Sequence, residues 1–143
     1  MYTNEMHLSF LSISQNEAFA RTAVASFVAS LNPTIEELAD IRTSVSEAVT
    51  NAIIHGYRSE DNGTVYIDCI IEDMTVSIDV KDMGEGIEDV SLAMQPFYTS
   101  MPNLERSGMG FAVMQAFMDS VDVESAIGQG TTVRMKKKIL AES

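Results

Sequence analysis

Between residues 6 and 13, Met6, Leu8 and Phe10 alternate with polar neighbours before Leu11 and Ile13 shift the phase, which predicts a strand. The period then changes. Phe19, Ala23, Val24, Phe27, Val28 and Leu31 recur at steps of three and four, as the apolar stripe of a helix does. Ser14 with Glu17 matches a capping box at its start, and Asn32-Pro33 closes it. Thr34 with Glu37 is a second such box, opening a helix from about 35 to 55 that Gly56 ends. Its stripe is Leu38, Ile41, Val45, Ala48, Val49, Ala52 and Ile53; Ser44, Glu47, Asn51 and His55 occupy the other side.

Two-residue alternation returns at 64–71 and 75–81, and Glu72-Asp73-Met74 joins these strands as a hairpin. Residues 95–108 hold two prolines and little periodicity, which predicts a mobile loop. A helix from about 109 to 120 follows, with Phe111, Met114, Phe117 and Met118 facing inward. The last hairpin pairs 121–126 with 131–138 around Gly128-Gln129-Gly130. Hairpins with helices gathered apart from them predict an α+β fold of one sheet and one helical layer, leaving one sheet face open. With 143 residues, no repeat and no linker, the chain is expected to form a single domain over 1–143.

Composition narrows the function. Twenty-one acidic against nine basic side chains give a formal charge of −12. Such a field repels phosphate backbones, so nucleic acid is not the expected partner. The one cysteine, Cys69, excludes an intramolecular disulfide and a thiolate zinc cage, and its alternation with Ile67 and Ile71 predicts a buried thiol. No apolar run approaches membrane-spanning length and the N-terminus lacks a signal-peptide pattern, so the expectation is a cytoplasmic protein without a membrane partner. Lys136, Lys137 and Lys138 read as a solvated strand end. His7 reads as a strand residue and His55 as a capping or packing group.

Four short constellations carry possible chemistry. Glu47 and Asn51, four residues apart, project from one helical face; a carboxylate can take a proton, and an amide oxygen is a hard ligand for Mg²⁺. Asp82-x-Gly84-x-Gly86 follows a strand, where glycines admit close approach of a ligand and an ionised Asp82 accepts hydrogen bonds such as that of adenine's exocyclic amine. Ser107-Gly108-Met109-Gly110 opens a helix whose free N–H groups suit an anion, although its spacing is not that of a P-loop. Gly130-Thr131 lies in the last hairpin. Taken singly, each has a structural explanation: a solvated helix face, a glycine turn, a loop entering a helix, a hairpin turn.

In this order and context the four together resemble the ATPase superfamily shared by DNA gyrase, the MutL repair proteins and sensor histidine kinases. The likeness covers essentially the whole chain. Residues 46–57 and 104–111 are similar to small anti-sigma factors with serine kinase activity, those of sporulation in particular. The resemblance implies a two-layer α/β sandwich with one mixed, mainly antiparallel sheet and helices on one face, holding MgATP. It implies that Glu47 is the base toward a serine hydroxyl, that Asn51 holds Mg²⁺, and that Asp82 selects adenine with help from Thr131. It also implies that Gly84, Gly86, Thr99, Ser107, Gly108, Met109 and Gly110 border the nucleotide, that Arg106 in a lid over it faces the γ-phosphate, and that Arg21 contacts a partner. The implied partners are a sigma factor, an anti-anti-sigma substrate and a second copy of the chain. Met101 stands before Pro102 where relatives often carry lysine, leaving Arg106 as the lid's cation. Three alternatives remain open at this stage. They are an anti-sigma kinase serving a stress response, a module in which ATP only orders a docking surface, and a histidine kinase catalytic domain; the last is disfavoured because no phosphoacceptor helical hairpin precedes these motifs.

Overall fold

A computed structural model describes residues 2–94 and 110–140. The order is β1 (Thr3–Leu11), α1 (Gln15–Val28), a 3₁₀ turn (Ala29–Leu31), α2 (Ile35–Asn51), a π-helical turn (Ala52–Gly56), β2 (Thr64–Glu72), β3 (Thr75–Asp82), α3 (Val90–Ala93), α4 (Gly110–Phe117), β4 (Ser120–Ala126) and β5 (Gly130–Lys138). The five strands form one sheet in the order β1-β2-β3-β5-β4. Every pairing is antiparallel, so the expected mixed, mainly antiparallel sheet narrows to a fully antiparallel one among the described residues.

Period-two burial fixes which sheet face is covered. Val65, Ile67, Cys69 and Ile71 of β2 and Val76, Ile78 and Val80 of β3 are buried, whereas Tyr66 and Ile70 stand on the open face. The helical layer meets this buried face through Ile41, Val45, Ala48 and Val49 of α2, which packs against both α1 and α4. The Ile and Val side chains each contribute about 1.5–3 kcal/mol on burial, so α2 is the main apolar seam between the layers. On the open face the register sets His7, Asp68, Asp79, Arg134 and Asp122 in one row across all five strands. His7 reaches the Asp68 carboxylate at 2.5 Å, and Arg134 pairs with Asp79 and Glu124.

Several expectations need correcting. The first strand covers 3–11 rather than 6–13, its polar start being held by pairing with β2 up to Glu72. Thr34 and Glu37 form both bonds of their capping box, at 3.0 and 2.9 Å. Ser14 makes no side-chain cap: it already adopts helical angles, φ −61° and ψ −29°, and the Glu17 N–H bonds to its carbonyl at 3.2 Å, while the Glu17 carboxylate pairs with Arg21 and the Ser46 hydroxyl. Val24, Val28 and Leu31 of the expected stripe are buried, but Phe19 is 53% exposed and its place at the start of the stripe is taken by Ala20, whose small side chain lets α1 lie close to α2. The helix expected over 35–55 is α-helical only to Asn51 and widens into a π-turn that ends with Gly56. The helix expected over 109–120 spans 110–117, and Gly130 belongs to β5 rather than to the turn. Helix α3 had no counterpart in the pattern, being too short for periodicity to register. The loop expected over 95–108 lies outside the described residues.

Candidate functional site

A cavity of about 550 Å³ opens between α2, the ends of β3 and β5, and α4, lined among others by Asn51, Asp82, Gly86, Gly110 and Thr131. Asp82 is the last residue of β3, opposite Thr131 on β5. The aspartate is buried, 4% exposed. It accepts the Gly84 N–H at 2.9 Å and the backbone N–H of Thr131. Desolvation outweighs these donors and pushes its pKa up to about 6. A buried carboxylate holding spare acceptor capacity at the floor of a cavity suits a ligand that brings its own N–H donor.

The floor is built from glycines because backbone and carboxylate crowd there. A Cβ on Gly56 would stand 2.7 Å from the Asp82 carboxyl group, and one on Gly84 would meet the Gly56 carbonyl at 1.9 Å. Gly84 therefore serves contact within the chain and does not line the cavity. Gly86 and Gly130 both adopt positive φ, and a Cβ on either would strike a neighbouring carbonyl oxygen. The Thr131 hydroxyl shares a 2.8 Å hydrogen bond with Ser125, which also accepts the Ile87 N–H.

At the other end, α2 presents Glu47 and Asn51 one turn apart. Gly110, the first residue of α4, fits against both: a Cβ there would lie 3.0 Å from Asn51 Nδ2 and 3.2 Å from Glu47 Oε2. The glycine thus brings the α4 N-terminus, with its outward N–H groups, onto the carboxylate–amide pair. Asn51 borders the cavity, and Glu47 is half-buried one turn behind it. One carboxylate and one amide oxygen fit Mg²⁺, which keeps several waters and needs few protein ligands. Among the described residues no group of three or more acidic, histidine or cysteine side chains forms a metal cage.

Arg21 lies elsewhere, in a shallow groove of about 280 Å³ with Arg42, Thr43 and Ser46. Thr99, Met101, Arg106, Ser107, Gly108 and Met109 are outside the described residues. Arg58, Glu85 and Ile87 line the cavity without having been singled out by the pattern; Gly56, expected only as a helix stop, and His55, expected as a capping or packing group, line it as well. Arg58, at φ 54°, pairs with Glu85 at 2.8 Å across the cavity edge.

The profile of the histidine kinase-like ATPase domain family matches residues 13–137. An anti-sigma F factor of Clostridium botulinum (strain Eklund 17B / Type B) is 59% identical over 138 residues, covering 96% of each chain. One from Geobacillus sp. (strain WCH70) is 58% identical, covering 95% of this chain and 93% of its own. Among solved structures, the catalytic domain of histidine kinase ThkA in a nucleotide-free form superposes with a TM-score of 0.60 over 97% of each chain, at 14% identity; that likeness is one of fold.

Proposed function

The chain belongs to the anti-sigma F factors within the histidine kinase-like ATPase domain family, and from that premise we propose that it binds MgATP, sequesters a sporulation sigma factor in the cytoplasm, and phosphorylates a serine of the anti-anti-sigma protein that opposes it. The observation that carries this reading is one cavity with a buried acceptor, Asp82, at its floor and the Glu47–Asn51–Gly110 cluster at its other end.

Asp82 accepts a hydrogen bond from the 6-amino group of adenine, and a purine with a carbonyl there meets carboxylate against carbonyl. Thr131 supplies a hydroxyl beside the base. Asn51 would hold Mg²⁺ with Glu47 close by. The ion, when bound, neutralises charge on the triphosphate. The N–H groups at the start of α4 face the phosphates. Glu47 takes the proton as the serine oxygen bonds to the γ-phosphorus; the bond from that phosphorus to the β,γ-bridging oxygen breaks, and ADP leaves with its electron pair. Arg106, with Thr99, Ser107, Gly108 and Met109, enters the proposal from its place in the motif. By the same family resemblance, the chain pairs with a second copy and Arg21 of the first helix contacts a partner.

The test is Glu47→Gln, assayed with γ-labelled ATP and the candidate serine protein at saturating MgATP. A fall in transfer of roughly 10²-fold or more, with ATP affinity kept, is expected of a lost base. An unchanged rate removes Glu47 from that role. Sigma binding with no label on any partner, even for the unaltered protein, would replace the kinase by an ATP-dependent binding module.

A further inference from the structure

The base-selecting end of the cavity is held in place by a residue that does not touch it. Tyr57 follows the π-turn, and its phenol spends both hydrogen-bonding capacities on backbone: it donates to the Thr64 carbonyl at 2.6 Å and accepts the Met83 N–H at 2.7 Å. Its ring lies flat on Gly63, where a Cβ would come within 2.6 Å of the ring carbons. Burial raises the phenol's pKa above its usual range, so it stays protonated and able to donate.

The consequence falls on the turn after β3. The N–H groups of three successive residues there are each committed: Met83 to the Tyr57 hydroxyl, Gly84 to the Asp82 carboxylate, and Glu85 to the Gly56 carbonyl at 2.9 Å. Two of the three acceptors come from the π-turn and the residue after it. Asp82 is also pressed from the far side by Gly56, with no room for a Cβ between them. The direction in which the carboxylate faces is therefore set by how residues 56–57 grip residues 83–85.

We infer that Tyr57 is a positioning residue for base selection: through the Met83 N–H it fixes the glycine turn that aims the Asp82 carboxylate into the cavity. The inference rests on the reading of that cavity as an ATP site. Tyr57→Phe keeps the ring on Gly63 and removes only the oxygen, leaving the Met83 N–H and the Thr64 carbonyl without their partner.

Calorimetric titration of the full chain with ATP and with ITP, whose base carries a 6-carbonyl, tests the idea. The expected result for Tyr57→Phe is roughly tenfold weaker ATP binding with little change for ITP, so that discrimination between the two narrows. A merely structural role would weaken both nucleotides alike. Gly63→Ala, which pushes the ring and so displaces the hydroxyl, is the second variant and should narrow the ratio in the same direction. If the unaltered chain separates ATP from ITP and neither variant changes that ratio, Tyr57 has no part in selection. If the unaltered chain binds no ATP, the nucleotide reading itself has failed, a result distinguishable from the first.

Discussion

At the scale of single residues, Asp82 places function and stability in opposition. Its folded-state pKa of about 6 lies above the ordinary carboxylate value, so the fold prefers the protonated form. Stability from this group is complete below the unfolded pKa and is lost as pH rises through 6. Moving from 3.8 to about 6 corresponds to a cost of about 3 kcal/mol at neutral pH. Asp82→Asn should therefore raise the unfolding free energy of the nucleotide-free chain at pH 7.5, by about 1–3 kcal/mol in urea titration. It should also weaken ATP binding by roughly 10- to 150-fold, the loss of a charged hydrogen bond. A variant that lost both stability and affinity would contradict this account. Gly110→Ala is a milder case. Its methyl would press on Asn51 and Glu47, so ATP affinity should fall while thermal unfolding shifts little, since alanine is the better helix former. The acidic and amide groups were legible in the chain because their types and spacing announce chemistry. Gly56 and Tyr57 were not: one reads as an ordinary helix stop and the other as an ordinary aromatic, and only their contact with Asp82 and Met83 gives them weight.

At the scale of elements, two similar start signals had different outcomes. Both boxes pair a hydroxyl with a glutamate three residues on, yet only Thr34–Glu37 closes. Glu37 is also fixed from the other side, accepting the Leu140 N–H at 2.7 Å. Burial acts to raise its pKa, but the bonds from Thr34 and Leu140 prevail and hold it below its usual value. Glu17 found a stronger attachment in Arg21 and Ser46. Thr34→Ala should cost about 1 kcal/mol of unfolding free energy, and Ser14→Ala less than about 0.5; equal losses would mean that the local pattern, and not the tertiary partners, governs both starts. The same limit explains α1. Phe19 and Ala20 lie on neighbouring stripes, and composition favours the larger residue, but the approach of α2 selects the smaller. Strands were easier to place because period two allows only two phases, and burial of one face decides between them. The insertion of β5 between β3 and β4 was not legible, since it depends on pairing between segments with no local signal.

At the scale of the whole molecule, the charge imbalance and the open sheet face act together. His7 has its pKa raised first by hydrogen bonds to Asp68 and then to Glu5, so its pairing is complete below the ordinary histidine value and fades as pH climbs through the elevated one. Asp82 shifts in the same sense, and protonation also relieves the −12 charge. The nucleotide-free chain should therefore be more stable at pH 5.5–6 than at pH 8, with ATP affinity moving the opposite way as Asp82 loses its charge. Thermal unfolding and calorimetry across that range check both trends. A melting temperature that rises steadily toward pH 8 would refute the first.

The one helix that carries Glu47 and Asn51 continues without a break into the turn that carries Gly56. At helical rise the stretch spans roughly 13 Å. Under the proposed ATP reading it would act as a measuring rod with a mark at each end, one for the sugar-distant edge of the purine and one for the terminal phosphate. A single inserted residue between the marks would rotate one against the other by about 100° and carry core residues such as Ala52 and Ile53 out of phase with the sheet, so the spacing of the marks cannot be reset without disturbing the packing beneath them.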